Sequence, residues 1–126
     1  MVAAKVIAVV DDEEDVRVST QDLLRSCGAR VLVFDRAEAF LAAPEAAQLD
    51  GLVTDFRLPE MNGAALLDEL RRRRVSYPVV FISALNSGLT ETMVRDTGAA
   101  AYLGKPVDPD ELIMVLERLH CLDGQS

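Results

Sequence analysis

In residues 5–12, KVIAVVDD, an apolar run of strand length leads directly into two aspartates. Four more apolar runs of similar length follow along the chain, each bounded by turn or helix-capping residues. The five predicted strands are 5–10, 29–34, 51–54, 79–82 and 100–103. Short, almost continuously apolar runs are typical of strands that are buried on both faces of a parallel sheet.

Longer amphipathic segments follow the strands and predict helices near 14–27, 36–43, 63–74, 87–97 and 108–120. Local signals support two of the helix starts: Asp35 is followed by Glu38 at capping-box spacing, and Asp108 is followed by Pro109 and Glu111. A strand and a helix therefore alternate five times. This order favours an α/β fold in which a five-stranded parallel sheet is doubly wound as (βα)5.

Length and composition suit one globular domain, since the chain has 126 residues, of which 50% are hydrophobic and 27% charged. We expect residues 1–121 to form that domain and residues 122–126 to be a short tail or the start of a truncated linker. The formal net charge of -8 has the wrong sign for contacts with nucleic acid phosphates. We therefore expect no direct nucleic acid binding by this chain.

Membrane association and disulfide chemistry are also disfavoured by the sequence. The longest apolar runs fall far short of the roughly 20 residues of a membrane-spanning helix, and the start of the chain lacks the pattern of a signal peptide. Cys27 and Cys121 lie far apart without a CxxC pair, which indicates reduced structural thiols rather than a zinc site or a disulfide. These features predict a cytoplasmic protein that does not contact a membrane.

Polar side chains stand at the carboxyl ends of four predicted strands, which is the edge where open α/β sheets bind ligands. They are Asp11 and Asp12 after the first strand, Asp55 after the third, Ser83 after the fourth and Lys105 after the fifth. Three carboxylates within about 4 Å would repel one another by several kcal/mol per pair, so the cluster needs a cation. Hard oxygen ligands favour Mg²⁺, and a lysine and a hydroxyl suit phosphate oxygens.

Each of these residues also has a simpler interpretation. Asp11 and Asp12 could be acids that stabilise the start of the next helix. Asp55 could be a solvated loop residue, and Lys105 a solvated surface lysine. The combination of all of them at one sheet edge is what favours a phosphate-handling metal site.

Four motifs, in this order and spacing, resemble the receiver domain of two-component response regulators. They are VVDDEEDVR at 9–17, TDFRLPEMNG at 54–63, VVFISA at 79–84 and GAAAYLGKP at 98–106. The resemblance covers roughly residues 5–120 and is similar in style to the receivers of nitrogen-fixation-type transcriptional regulators. It implies the flavodoxin-like arrangement of the parallel sheet.

The resemblance implies a phosphorylation site with its metal ligands. Asp55 matches the phosphoacceptor, Asp12 the direct metal ligand and Asp11 the ligand that acts through water. Arg57 would lend its backbone carbonyl to the metal. The implied cofactor is Mg²⁺.

Further positions match the residues that respond to the phosphoryl group in this family. Lys105 matches the lysine that pairs with it, Ser83 the switch hydroxyl and Tyr102 the aromatic switch. Pro106 matches a proline that usually follows a cis peptide bond, which is otherwise rare. Lys105 and Ser83, together with Asp55, are therefore the expected catalytic residues.

The function that the resemblance implies is a phosphorylation-dependent signalling switch in bacteria, not a conventional enzyme. Asp55 would take a phosphoryl group from a sensor histidine kinase or a small phosphodonor and form an aspartyl phosphate. The face made by the predicted helix 87–97, the fifth strand and the predicted helix 108–120 would then change. Through that face the receiver would contact an output domain, an effector protein or a second receiver.

Two other classes of function stay open at this point. A Mg²⁺-dependent hydrolase with an aspartyl-phosphate intermediate normally needs a second acid two residues after its nucleophile, where this chain has Arg57. A receiver-like docking module that takes no phosphate, or a flavin-binding protein of similar topology, is the other class. Phosphate loops of flavodoxin type are rich in Thr, Ser and Gly, whereas residues 11–14 are all acidic.

Overall fold

The computed structural model of the chain describes residues 4–84 and 96–123. Within these residues all strands run parallel in one sheet with the order β2-β1-β3-β4-β5. The strands are β1 (Val6–Val10), β2 (Arg30–Phe34), β3 (Gly51–Asp55), β4 (Val79–Ala84) and β5 (Ala101–Lys105). The predicted parallel five-stranded sheet is therefore confirmed. β3, β4 and β5 each extend one or two residues beyond their predicted ends, so Asp55, Ser83 and Lys105 belong to the strands themselves.

Four helices and one short 3-10 helix accompany these strands within the described residues, and the last helix follows β5. They are α1 (Glu14–Ser26), α2 (Ala37–Ala42), the 3-10 helix (Pro44–Ala47), α3 (Gly63–Arg72) and α4 (Pro109–Arg118). The predicted helix 87–97 lies outside the described residues except for Asp96 and Thr97, which form a turn. No helix in the described part of the chain has the length and apolar content to cross a bilayer.

The sheet separates two hydrophobic clusters because successive strand residues point to opposite faces. In β1, Ile7 and Val9 pack with α1 and α4 on one face, whereas Ala8 and Val10 pack with α2 and α3 on the other. β3 is buried along its whole length. Burial on both faces accounts for the continuously apolar sequence of the central strands.

The two predicted helix caps have different outcomes. The Asp108 side chain accepts a hydrogen bond from the Asp110 N–H at 2.9 Å, with Pro109 in the first turn, so this cap is confirmed. The prediction for Asp35 is wrong: α2 begins at Ala37 with Arg36 as its N-cap, and that cap has no side-chain hydrogen bond. Because the helix starts one residue later than predicted, the Asp35 carboxylate stands one position too early to cap it.

The ends of α1, α3 and α4 share one geometry, in which the second residue after the helix has a positive φ angle. The residues are Gly28 (φ 88°), Arg74 (φ 61°) and His120 (φ 64°). After α4, the Cys121 N–H bonds the Leu116 carbonyl at 2.8 Å, and the His120 N–H bonds the Glu117 carbonyl at 3.0 Å. This pair of bonds is a Schellman motif, and only glycine adopts the left-handed conformation without steric cost.

We predict that His120→Gly raises the free energy of unfolding by about 1 kcal/mol, because glycine relieves the strain of a left-handed L-residue. The His120 side chain is exposed, so the substitution leaves the hydrophobic core unchanged. Urea unfolding followed by circular dichroism measures the change.

The matched control for this prediction is Gly28→Ala, at the equivalent position after α1. Beyond its chain neighbours, no atom lies within 4 Å of the added Cβ, so no steric clash adds to the strain of the positive φ angle, and this strain should destabilise the protein. Stabilities that change with the same sign in both variants would contradict the interpretation.

Candidate functional site

The candidate site lies at the carboxyl ends of β1, β3 and β5, where the parallel strands bring distant residues together. Asp11 directly follows β1, Asp55 ends β3 and Lys105 ends β5. Asp11 and Asp55 are almost fully buried, with exposed fractions of 2% and 6%. Two carboxylates that are removed from water in this way require nearby positive charge or hydrogen-bond donors.

The Lys105 ammonium supplies that positive charge. Its Nζ lies 2.8 Å from Asp55 Oδ2, 2.9 Å from Glu13 Oε1 and 3.2 Å from Asp11 Oδ2. Burial lowers the pKa of Lys105, but the hydrogen bonds to Asp55 and Glu13 and the charges of Asp11 and Asp55 outweigh this effect and raise the pKa above its ordinary value. The interpretation of Lys105 as a solvated surface lysine is therefore wrong.

Asp11 combines a structural and an electrostatic role. Its Oδ1 accepts a hydrogen bond from the Glu13 N–H at 2.9 Å, at the start of α1, while its Oδ2 faces Lys105. Desolvation by burial raises the pKa of Asp11, although the Glu13 N–H and the Lys105 charge act in the opposite direction. One oxygen therefore stabilises the turn that leads into α1 without capping the helix, since Glu13 is itself the N-cap residue. The other oxygen contacts Lys105.

Four carboxylates lie close enough to hold one metal ion. Asp11, Asp12, Glu13 and Asp55 each offer an oxygen, and all four oxygens lie within 4.8 Å of one another. Asp11 and Asp55 form the buried side of this cluster, and Asp12 and Glu13 form its exposed side. A set of hard oxygen donors that is open on one side fits Mg²⁺, which keeps several of its waters.

The backbone after β3 fixes the orientation of Asp55. The Arg57 N–H donates to Asp55 Oδ1 at 3.0 Å, and the Phe56 N–H donates to the Ile82 carbonyl at 2.8 Å. The two Asp55 oxygens therefore contact different partners, since Oδ2 faces Lys105. The interpretation of Asp55 as a solvated loop acid is wrong, because the residue ends a buried strand.

The remaining predicted residues lie around this cluster. Ser83 is buried in β4, and its Cα pairs with Gly104 beside Lys105. Tyr102 is partly buried and packs against the hydrophobic cluster of α2 and α3. The peptide bond between Lys105 and Pro106 is cis.

Two residues without a sequence-predicted role also contact the site. Glu13 binds Lys105, and Arg17 Nη1 donates to the Asp11 carbonyl at 2.9 Å. Both lie in the quoted motif at 9–17, so their nearness to Asp11 along the chain was the available signal. Their contacts depend on side-chain directions that spacing alone does not give.

The fold and the site together define a doubly wound α/β protein with a candidate divalent-cation site at its strand ends. The chain belongs to the response regulator receiver domain family, whose model matches residues 7–117. This confirms the resemblance noted in the four motifs.

Similar proteins include two regulators and one solved structure. The chain is 32% identical over 113 residues to the DNA-binding transcriptional regulator NtrC of Salmonella typhimurium, covering 90% of this chain and 24% of that protein. It is 33% identical over 112 residues to the transcriptional regulatory protein FixJ of Rhizobium meliloti, covering 89% and 55%. The crystal structure of FixJ-N has a TM-score of 0.82 at 31% identity, covering 94% of each chain. The chain thus spans about a quarter of NtrC and about half of FixJ.

We predict that Lys105→Met lowers the free energy of unfolding by about 2 kcal/mol, because the variant leaves the buried carboxylates without their cation. Excess Mg²⁺ stabilises the folded state to which it binds. It should stabilise this variant more than the wild type, because the Lys105 charge no longer repels the dication. Urea unfolding with and without MgCl₂ measures both effects.

Lys5→Met is the matched control, since Lys5 is the other lysine of the chain and precedes β1 at the opposite end of the strand. The Lys5→Met substitution makes the same change in net charge at a position outside the acidic cluster. Equal losses of stability in the two variants would contradict a specific role for the Lys105 contacts.

Proposed function

We propose that this receiver domain accepts a phosphoryl group on Asp55, with Mg²⁺ as its cofactor. The observation that carries the proposal is the contact of 2.8 Å between Lys105 Nζ and Asp55 Oδ2 beside three further carboxylates. The proposed donor is the phosphohistidine of a sensor histidine kinase, or a small phosphodonor such as acetyl phosphate.

The proposed metal ligands are Asp12 and Asp55 directly, Asp11 through a water, and the Arg57 backbone carbonyl. The clustering of the acidic oxygens supports this set, because hard oxygen atoms from few side chains suit Mg²⁺. When bound, Mg²⁺ supplies positive charge that shields the oxygens of the transferring phosphoryl group.

Asp55 is the proposed nucleophile. One of its carboxylate oxygens forms a bond to phosphorus while the bond from phosphorus to the donor imidazole nitrogen breaks, and the imidazole leaves. The Arg57 N–H and the Lys105 ammonium hold the two carboxylate oxygens in place before the reaction. The product is an aspartyl phosphate, which the domain itself forms and hydrolyses.

Signalling is proposed to follow from the same residues. The new phosphoryl oxygens attract the Lys105 ammonium and the Ser83 hydroxyl, and Tyr102 then turns inward. Support comes from the pairing of Ser83 with Gly104 and from the partial burial of Tyr102. The face that changes comprises the predicted helix 87–97, β5 and α4.

The partners proposed for this face are an output domain, an effector protein or a second receiver. Support comes from the relatives, which are regulators longer than this chain, one of them described as DNA-binding. The sensor histidine kinase is the proposed partner of the site itself.

We predict that Asp55→Asn abolishes phosphorylation, because the amide cannot form the acyl phosphate. Intact-mass measurement after incubation with acetyl phosphate and Mg²⁺ should show one phosphoryl adduct on the wild type and none on the variant. Hydroxylamine should remove the adduct. Asp22→Asn, an exposed position on α1, is the control and should be labelled like the wild type. Undiminished labelling of Asp55→Asn would contradict the proposed function.

We also predict that Asp12→Ala loses Mg²⁺ binding, because it removes the direct ligand on the exposed side of the cluster. Amide chemical shifts recorded during a MgCl₂ titration measure the affinity. Glu14→Ala changes a neighbouring exposed acid outside the cluster and should keep the wild-type affinity. Equal Mg²⁺ affinities of Asp12→Ala and the wild type would contradict the proposed role of Asp12 as a metal ligand.

A further inference from the structure

Glu13 is the one member of the acidic cluster to which the resemblance assigns no role. It is the N-cap residue of α1, yet its side chain makes no hydrogen bond to the helix. Its carboxylate instead lies 2.9 Å from Lys105 Nζ, although 60% of the side chain is exposed. The contact joins residues that are 92 positions apart in the chain.

The backbone holds Glu13 in a place from which it reaches the lysine. Its N–H donates to Asp11 Oδ1 at 2.9 Å, and its carbonyl accepts from the Arg17 N–H at 3.0 Å. The N–H and the carbonyl of Glu13 are therefore both hydrogen-bonded, which fixes the backbone between β1 and α1. Because the backbone of Glu13 is already fixed, little backbone entropy is lost when its side chain binds Lys105.

Lys105 has as many acidic partners as donors. An ammonium group carries three N–H donors, and here three carboxylates surround it: Asp11, Glu13 and Asp55. An arriving phosphoryl oxygen therefore competes with carboxylates that already occupy the ammonium. Glu13 is the most exposed of the three. Its carboxylate is therefore the one that loses the lysine at the lowest cost in free energy, because water can solvate it afterwards.

We propose that Glu13 is a positioning residue that restrains Lys105 in the unphosphorylated domain. It slows the reaction of Asp55 with anionic phosphodonors, and it strengthens cation binding at the same site. The inference rests on the proposed function, since it assumes that Lys105 serves a phosphoryl group on Asp55.

The two effects have opposite signs because one negative charge attracts a dication and repels an anionic donor. Loss of the single Glu13 charge, whose oxygen lies within 4.8 Å of the other cluster oxygens, should weaken Mg²⁺ binding about three- to tenfold. Loss of the competing contact should speed phosphorylation by a similar factor, about threefold or more, once Mg²⁺ is saturating. A residue with a merely structural role would lower both quantities together.

The decisive variant is Glu13→Gln, which keeps the shape of the side chain and removes its charge. Its Mg²⁺ affinity is measured by the titration of amide chemical shifts, and its rate of phosphorylation by intact mass with acetyl phosphate at saturating Mg²⁺. Glu14→Gln is the matched control, an exposed acid on α1 outside the cluster, and should change each quantity by less than about twofold.

A spectroscopic readout tests the contact directly. The chain has only two lysines, Lys5 and Lys105, so lysine labelled with ¹³C at Cε gives one signal from each. Glu13→Gln should shift the Lys105 signal and leave the Lys5 signal unchanged. Glu14→Gln should leave both unchanged.

The outcomes separate this inference from the proposed function. A wild-type chain that takes no phosphoryl group would contradict the proposed function. A wild type labelled at Asp55, with Glu13→Gln equal to Glu14→Gln in Mg²⁺ affinity and rate, would overturn the role of Glu13 alone. A rate that falls together with the affinity, or an unshifted Lys105 signal, would also overturn it.

Discussion

The Lys105 ammonium, held among the carboxylates of Asp11, Glu13 and Asp55, is the interaction on which the polar edge of the sheet depends. Two of these acids are buried at the ends of adjacent strands, and carboxylates so placed repel each other unless a cation lies between them. Lys105 reaches them from β5, across β4. The buried acids thus stay compatible with a folded sheet because a lysine from a distant part of the chain offsets part of their negative charge.

Parallel strands make this arrangement possible. Every strand of the sheet ends at the same edge, so residues that directly follow or end β1, β3 and β5 meet although long segments separate them in sequence. The two hydrophobic clusters on either side of the sheet hold the strands in register. The apolar faces therefore determine the position of the acids, and the acids need no contact with one another to be brought together.

The same charges give the site its reactivity as a candidate phosphoryl acceptor. A cluster with more acids than cations attracts a dication, and in the proposed reaction its lysine leaves a carboxylate and binds phosphoryl oxygens. Lys105 serves stability in the resting domain and chemistry in the proposed reaction. Glu13 is the partner that links these two roles, because it is both exposed and within hydrogen-bond distance of the ammonium.

Apolar periodicity and motif spacing predicted the five parallel strands, the order of α1 to α4 and the placement of the polar residues at one sheet edge: Asp11, Asp12, Asp55, Ser83 and Lys105. These follow from local apolar runs and helix signals, which act over a few residues. Three features became visible only in the folded chain: the contact of Glu13 with Lys105, the failed cap at Asp35 and the left-handed helix ends at Arg74 and His120. Each depends on where a backbone turns or a side chain points after packing, and neither direction is encoded in residue spacing.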